Sequence, residues 1–387
     1  MPTDRIAIVG AGMAGLTAAL AFARKGLACD IYEQAPALTE VGAGLQISPN
    51  ASRILDALGV LEKIETVWTE PERINLVSGT SLRAISHVPA GGFARERWRA
   101  PYGVLHRSTL QNALLEAVQA QPLCDLKLAT RLSPDDMPDL IGDGKPYKLV
   151  VGADGVWSQM RHRVPGGPEP EFSGNVAWRF TIPAAEAPAW LKPDAVSAFL
   201  GPSAHLVSYP LKDVGGFNVV AIASGISPGE TWEATSTQAQ RQMLLDQFRS
   251  WNRQIVTVLE SAPAPTFWPL YQMIPGRWQN GRDTVLIGDA AHAMMPFAAQ
   301  GAAMAIEDAF ALAAHVAGAA SITHALGAFE AERVPRIARA RARGKLNRFA
   351  YHARGPVRLG RDLVLSLRPP QSLAADLDWL YGYRSRD

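Results

Sequence analysis

The stretch Arg5-Ile6-Ala7-Ile8-Val9-Gly10-Ala11-Gly12-Met13-Ala14-Gly15-Leu16 decides how this chain folds. Its first half is short, apolar and partly β-branched, which predicts a buried strand through Val9. Glycines at 10, 12 and 15 break that strand and lead directly into an apolar helix ending at Arg24. A second strand, Ala28 to Tyr32, delivers Glu33 at its end. Strand, glycine turn, helix, strand and acid form the dinucleotide fingerprint in its required order. The glycines let the backbone approach a pyrophosphate, the helix start receives its charge, and the acid takes ribose hydroxyls. Gly10, Gly12, Met13, Ala14, Gly15 and Glu33 are therefore the expected contacts, with the dinucleotide itself left open. Ile6 to Ala23 is also charge-free and ends Ala21-Phe22-Ala23, which imitates a signal peptide. Glycines at fingerprint spacing argue against the uninterrupted apolar helix that secretion or a membrane span would need.

Further motifs follow along the chain. Lys148-Leu149-Val150-Val151-Gly152-Ala153-Asp154-Gly155-Val156-Trp157-Ser158, with Arg161 beyond it, predicts another strand ending in a turn. Upstream, His106-Arg107-Ser108-Thr109-Leu110 starts a helix of capping-box character. Near the C-terminal end, Val285-Leu286-Ile287-Gly288-Asp289-Ala290-Ala291-His292 is a buried strand carrying an acid to its carboxyl end. Pro296 comes next, and Gln300-Gly301-Ala302-Ala303-Met304-Ala305-Ile306 opens an alanine-rich helix that reaches Glu307-Asp308. Small residues there let a flat ligand meet the backbone, and the helix start favours negative charge on it.

In this order the motifs resemble those of the FAD-dependent aromatic monooxygenases, the family that includes salicylate and p-hydroxybenzoate hydroxylases. The resemblance spans nearly the whole chain. It implies an α/β fold: a Rossmann-type FAD-binding domain, an inserted mostly antiparallel substrate sheet and C-terminal helices. The style of the sequence divides accordingly. Residues 1–70, 101–168 and 271–330 alternate strands and helices; 71–100 and 169–270 hold short strands broken by Pro and Gly; 331–387 form a helical tail. Within the insert, Asn175 to Ile182, Ala195 to Leu200, His205 to Leu211 and Phe217 to Ile222 read as strands. The resemblance further assigns Arg107, Asp154, Gly288, Asp289, Gly301 and Ala302 to the FAD, with Ala129 close to it and Gln46 approaching either the flavin or the substrate. No His or Cys lies in an evident attachment context, so the FAD is expected to be noncovalent. NADH or NADPH and O2 are the implied co-substrates, and a flavin hydroperoxide the implied hydroxylating agent. Two departures stand out: Gln34 replaces a basic residue common in relatives, and Ala129 to Lys148 carries three prolines where relatives form a β-meander.

A phenolic ring reacts faster as its phenolate, so a proton acceptor is expected. On a regular strand His205 and Tyr209, four residues apart, point to one face. The pair matches the His and Tyr of the salicylate and hydroxypyridine branches, and core packing is its competing explanation. Pro296 matches the family proline whose carbonyl faces the reacting region, with Met294, Met295 and Phe297 as apolar wall. Trp178 and Phe180 suit either this pocket or the core. His292 is expected to be structural.

Composition fits a cytoplasmic enzyme, and the resemblance implies a small aromatic substrate. The 387 residues are 48% hydrophobic and 19% charged, and a net charge of +2 makes no case for nucleic acid. Cys29 and Cys124, far apart in sequence, offer neither a disulfide framework nor the close redox pair of a flavin disulfide reductase. Scattered histidines suggest no metal site. Arg333 to Arg368 reads as one basic amphipathic helix with a solvated face, without stable membrane association. A monomer or homodimer is expected. A flavoprotein reductase or dehydrogenase that does not oxygenate is the alternative. A flavin halogenase lacks its Trp-x-Trp-x-Ile-Pro pattern.

Overall fold

All four residues of the strand Ile6–Val9 are buried, because helices cover both faces of the sheet in which it lies at the centre. That sheet is five-stranded and parallel, in the order Thr284–Leu286, Leu149–Gly152, Ile6–Val9, Cys29–Tyr32, Cys124–Lys127. Strands buried on both faces need continuous apolar runs, which these segments supply. The computed structural model describes residues 5–38, 44–137, 140–226, 236–263 and 265–385. The helix Met13–Arg24 is buried along its whole length up to Arg24. It packs on Gly301–Gly318, and the alanines and glycines of both allow their close approach.

A second, seven-stranded sheet has the order Thr266–Ile274, Glu169–Pro183, Gly216–Ser224, Ala204–Leu211, Ala195–Leu200, Arg73–Ser78, Ala84–Pro89. Its pairs are antiparallel except Ala195–Leu200 beside Arg73–Ser78, which run parallel. The expected α/β architecture with an inserted, mostly antiparallel sheet is thus present. Alternation gives each strand two destinations. Trp178, Phe180, Leu206 and Val219 pack under the helices Gln238–Phe248 and Arg253–Ser261. Ala177, Val207, Tyr209 and Leu211 join the clusters toward the parallel sheet. Trp178 and Phe180 therefore belong to the core on the far face.

Several expectations need correction. The basic tail is two helices, Ile322–Tyr351 and Gly355–Leu367, broken at His352. Arg333 is not solvated but fully buried. The helix Arg107–Gln119 has no capping box; the His106 side chain accepts from Ser108 N instead. The proline-bearing stretch forms a 3-10 turn, Pro134–Asp136, and a minimal hairpin of Ile141–Gly142 with Lys145–Pro146. Cys29 and Cys124, distant in sequence, are register partners on neighbouring strands. Burial pushes both thiols up, Cys124 to about 11, so they stay protonated and inert. Among the described residues no helix is long and apolar enough to cross a membrane, and no acid, His or Cys cluster suits a metal.

Behind the alanine-rich helix lies an ion cluster whose Arg333, Glu307 and Asp308 are fully buried. Arg333 Nε donates to Asp308 at 2.8 Å and Nη1 to Glu307 at 2.7 Å. Arg336 donates to both Glu307 oxygens at 2.6 Å, Asn50 Nδ2 donates to one at 2.7 Å, and His292 bonds Asp308. Removing one partner strands the others in a medium that solvates them poorly. Arg333→Met is expected to cost about 3–5 kcal/mol of unfolding free energy in urea titration. A loss below about 1 kcal/mol would mean the cluster carries little of the fold.

Candidate active site

The glycine turn is built by steric necessity. Gly10 has φ +100°, and a Cβ there would stand 2.5 Å from Ala153 O. A Cβ on Gly15 would overlap Gly10 O, so the helix can start this close to the strand only with glycine. Gly12, the residue preceding the helix, meets nothing within 4 Å. Strain is thus confined to the residues that shape the loop, and open space is left at the one facing outward. Met13 and Ala14 are the first buried turn of the helix. Glu33 braces the loop, accepting from Ala11 N at 2.8 Å and Ala35 N at 2.9 Å. Ala129, at φ +52°, runs alongside and donates its N–H to Ala35 O at 3.0 Å.

The other motifs converge on this loop. Gly288, at φ +59°, fits between Ala14 and Ala305, where an added Cβ would come within 3.1 Å of each. Asp289 next to it is exposed, and its carboxylate has no partner among the described residues. Gly301 opens its helix with nothing within 4 Å of an added Cβ, and Ala302 is half-buried beside it. Asp154 receives Gln159 N at 2.7 Å and Met160 N at 3.2 Å on one oxygen, while the other is buried without a partner. Burial pushes its carboxyl pKa up, and these hydrogen bonds oppose that. Arg161 reaches Ala290 O at 3.1 Å and ties this segment to the Asp289 turn. Arg107 starts its helix at the end of the strand Gly103–His106, and that strand pairs with Gly44–Ile47, where Gln46 accepts from Tyr102 at 2.6 Å. Open glycines, an orphaned acid oxygen and an unpartnered carboxylate suit a dinucleotide's phosphates and polar rim.

The substrate-side sheet presents one face to this region. His205, Val207 and Tyr209 alternate on it, and Arg179 stands in the Val207 row through its register partner Val220. Arg179 lies over Trp268 at 5.7 Å. Burial holds the Tyr209 hydroxyl well above its ordinary pKa, and the charge of Arg179 partly offsets this. Tyr209 packs on Gly44, where an added Cβ would stand 2.9 Å from its hydroxyl. His205 stacks on Phe297 at 5.0 Å between centroids, so the half-buried Pro296 turn touches this face. Met294 and Met295 lie beyond Phe297, lining an outer groove. His292 is buried against Asp308. Sequence reasoning missed Arg179 and also His352, whose Nε2 is 2.9 Å from His205 Nδ1.

A family model described as FAD binding domain matches residues 3–343. The chain is 34% identical over 389 residues to 3-hydroxybenzoate 6-hydroxylase 1 of Aquipseudomonas alcaligenes, covering 98% of each. The chain belongs to the FAD-dependent aromatic hydroxylase family. It is also 34% identical over 388 residues to the 3-amino-4-hydroxybenzoate 2-monooxygenase of Streptomyces cremeus, covering 98% of this chain and 95% of that one. A salicylate hydroxylase substrate complex has the same fold, with a TM-score of 0.78 at 21% identity over 98% and 95% of the two chains. FAD is the dinucleotide that this family binds, and the open glycine loop, the Asp154 oxygen and Asp289 fit it.

Burial pushes His205 well below its ordinary pKa, with His352 adding to the effect. Burial, Arg348 and Arg354 push His352 down to about 4. Unfolded imidazoles take up protons near pH 6.5 and these folded ones do not. Stability from this pair is complete above about pH 6.5 and is lost as pH falls toward the folded values, at up to about 1.4 kcal/mol per unit per histidine. In urea titrations between pH 7 and pH 4.5, His352→Gln should therefore decline less steeply than the parent. Parallel pH curves would contradict these depressed pKa values.

Proposed function

We propose that this enzyme uses NADH or NADPH and O2 to hydroxylate a phenolic aromatic acid of the hydroxybenzoate or salicylate type. The observation that carries the reading is one sheet face that holds His205, Arg179 and Tyr209, with His205 packed on Phe297 of the Pro296 turn. The relatives named above act on hydroxybenzoates, which carry a ring hydroxyl and a carboxylate. Bound FAD, reduced by the nicotinamide, supplies the electrons and the oxygen activation. Gly10, Gly12, Met13, Ala14, Gly15, Glu33, Ala129, Arg107 and Asp154 would hold its adenosine and pyrophosphate. Gln46, Gly288, Asp289, Gly301 and Ala302 would hold its ring end. On this reading residues 1–70, 101–168 and 271–330 carry the FAD, and 71–100 with 169–270 carry the substrate.

The chain's own residues then divide the work on the ring. Arg179 pairs with the substrate carboxylate and fixes its register, as a guanidinium does best in a water-poor site. His205, neutral at working pH, takes the ring hydroxyl's proton, with Tyr209 hydrogen-bonding the same oxygen. The Pro296 carbonyl faces the reacting edge, and Phe297 excludes water from it. Arg179→Gln should raise the KM for salicylate or a hydroxybenzoate about 10–100-fold, the value of a charged hydrogen bond, and leave that for phenol little changed. The check is product formed and NAD(P)H consumed over a panel of salicylate, 3-hydroxybenzoate, 4-hydroxybenzoate and phenol. Oxidation of NAD(P)H without hydroxylated product from any member would overturn this reading.

A further inference from the structure

His352 ends the helix Ile322–Tyr351, its N–H bonding back to Arg348 O at 3.0 Å. Its Nε2 is 2.9 Å from His205 Nδ1, and both rings touch Phe297, with centroids at 5.3 and 5.0 Å. The two imidazoles differ in their access to water. His205 is 1% exposed and packs against Phe297 and Tyr351. His352 lines an open groove of about 1160 Å³, formed by the end of the strand Thr266–Ile274, the Met294–Phe297 turn and the outer side of the long helix. A base as deeply buried as His205 meets a difficulty once it accepts a proton, because an imidazolium there would be poorly solvated. A neutral imidazole donates from one nitrogen and accepts at the other. With Nδ1 donating to His352, the Nε2 of His205 is left as the acceptor.

We propose that His352 is the second member of a proton relay that carries the proton taken by His205 from the substrate out to the groove. The relay rests on the reading of His205 as the base. In it the substrate O–H bond breaks as an N–H bond forms at His205 Nε2. The Nδ1–H bond of His205 breaks as one forms at His352 Nε2, and the Nδ1 proton of His352 leaves to water in the groove. Both imidazoles end neutral with their tautomers exchanged. A proton returning along the same path to the product phenolate resets them.

The surroundings favour passage over storage. Arg348 and Arg354 flank His352 on its own segment, and Arg341 and Lys345 line the same groove. Tyr351 packs on His205 from beside it, and Glu171 stands on the strand side of the groove. The nearby cations keep His352 from retaining a proton, while the groove gives that proton somewhere to go.

His352→Ala leaves a hole that opens onto the groove, so a small ring added in solution can enter it. The FAD-loaded variant is given the panel member that the wild type hydroxylates. It should retain FAD and still oxidise NAD(P)H, while product per NAD(P)H falls about tenfold or more. Imidazole should restore the yield saturably, and thiazole, a ring of the same shape but a far weaker base, should not. His205→Ala, sealed from the groove, should be impaired and gain nothing from either. Equal restoration by thiazole would assign His352 to packing, and restoration by neither would also overturn the relay. If His205→Ala is impaired while His352→Ala matches the wild type, the relay alone fails. If His205→Ala hydroxylates normally, the base reading fails and takes the relay with it.

Discussion

Asp308 lies fully buried on the helix Gly301–Gly318, and one of its oxygens accepts the backbone N–H of Gly288 at 3.0 Å. Burial alone would raise its pKa, but its contacts with His292 and Arg333 outweigh that and hold it below the ordinary carboxylate range. A charged acceptor therefore sits beneath the turn that carries Asp289, the residue proposed to meet the flavin. A side chain on Gly288 would crowd Ala14 and Ala305, so the turn keeps its close approach only with glycine. Glu307, one residue earlier, extends the network through Asn50 and Arg336. Arg336 in turn stacks on Tyr383 at 3.7 Å and donates to Leu380 O. The helix Pro49–Ala57, the Gly288 turn and the segment around Tyr383 are thereby fixed to one another.

The long helix Ile322–Tyr351 transmits that order to the substrate side. Arg333 near its start completes the Asp308 pair. Asn347, about four turns further on, donates to Phe297 O at 2.9 Å and clamps the Pro296–Phe297 turn. His352 at its end bonds His205. One helix thus ties the Gly288 turn, through Asp308, to the Pro296–Phe297 turn and to His205. Hydroxylation depends on holding the ring and the flavin in fixed register, where small misplacements are costly. Phe297, on the turn after the Asp289 helix, packs on His205 of the second sheet.

Much of this was legible in the sequence, for physical reasons. Gly10, Gly15 and Gly288 are glycines because the backbone admits nothing else, so the fingerprint and its companion motifs carry their geometry openly. The period-2 alternation of the inserted strands placed His205 and Tyr209 on one face correctly. Alternation does not say which face meets the flavin unit, so Trp178 remained ambiguous until the helices over it were seen. Arg179 escaped notice because its role follows from strand register with Val220 and Val207, which spacing along one strand does not encode. His352 and Asp308 were hidden for a related reason: their partners lie 147 and 16 residues away. The basic tail misled because Arg333 and Arg336 resemble surface charge until the buried acids opposite them are known. Cys29 and Cys124 show the same limit, since distance in sequence concealed neighbouring strands.

The most direct measurement is the FAD dissociation constant of Asp308→Asn beside that of the parent, on protein shown to be folded by its circular dichroism. Asparagine keeps the shape but loses the charge that draws the Gly288 N–H and pairs with Arg333. If Asp308 holds the flavin turn, FAD should bind at least about tenfold more weakly, in keeping with a lost charged hydrogen bond of roughly 1.5–3 kcal/mol. Unchanged FAD affinity in a folded variant would contradict the account.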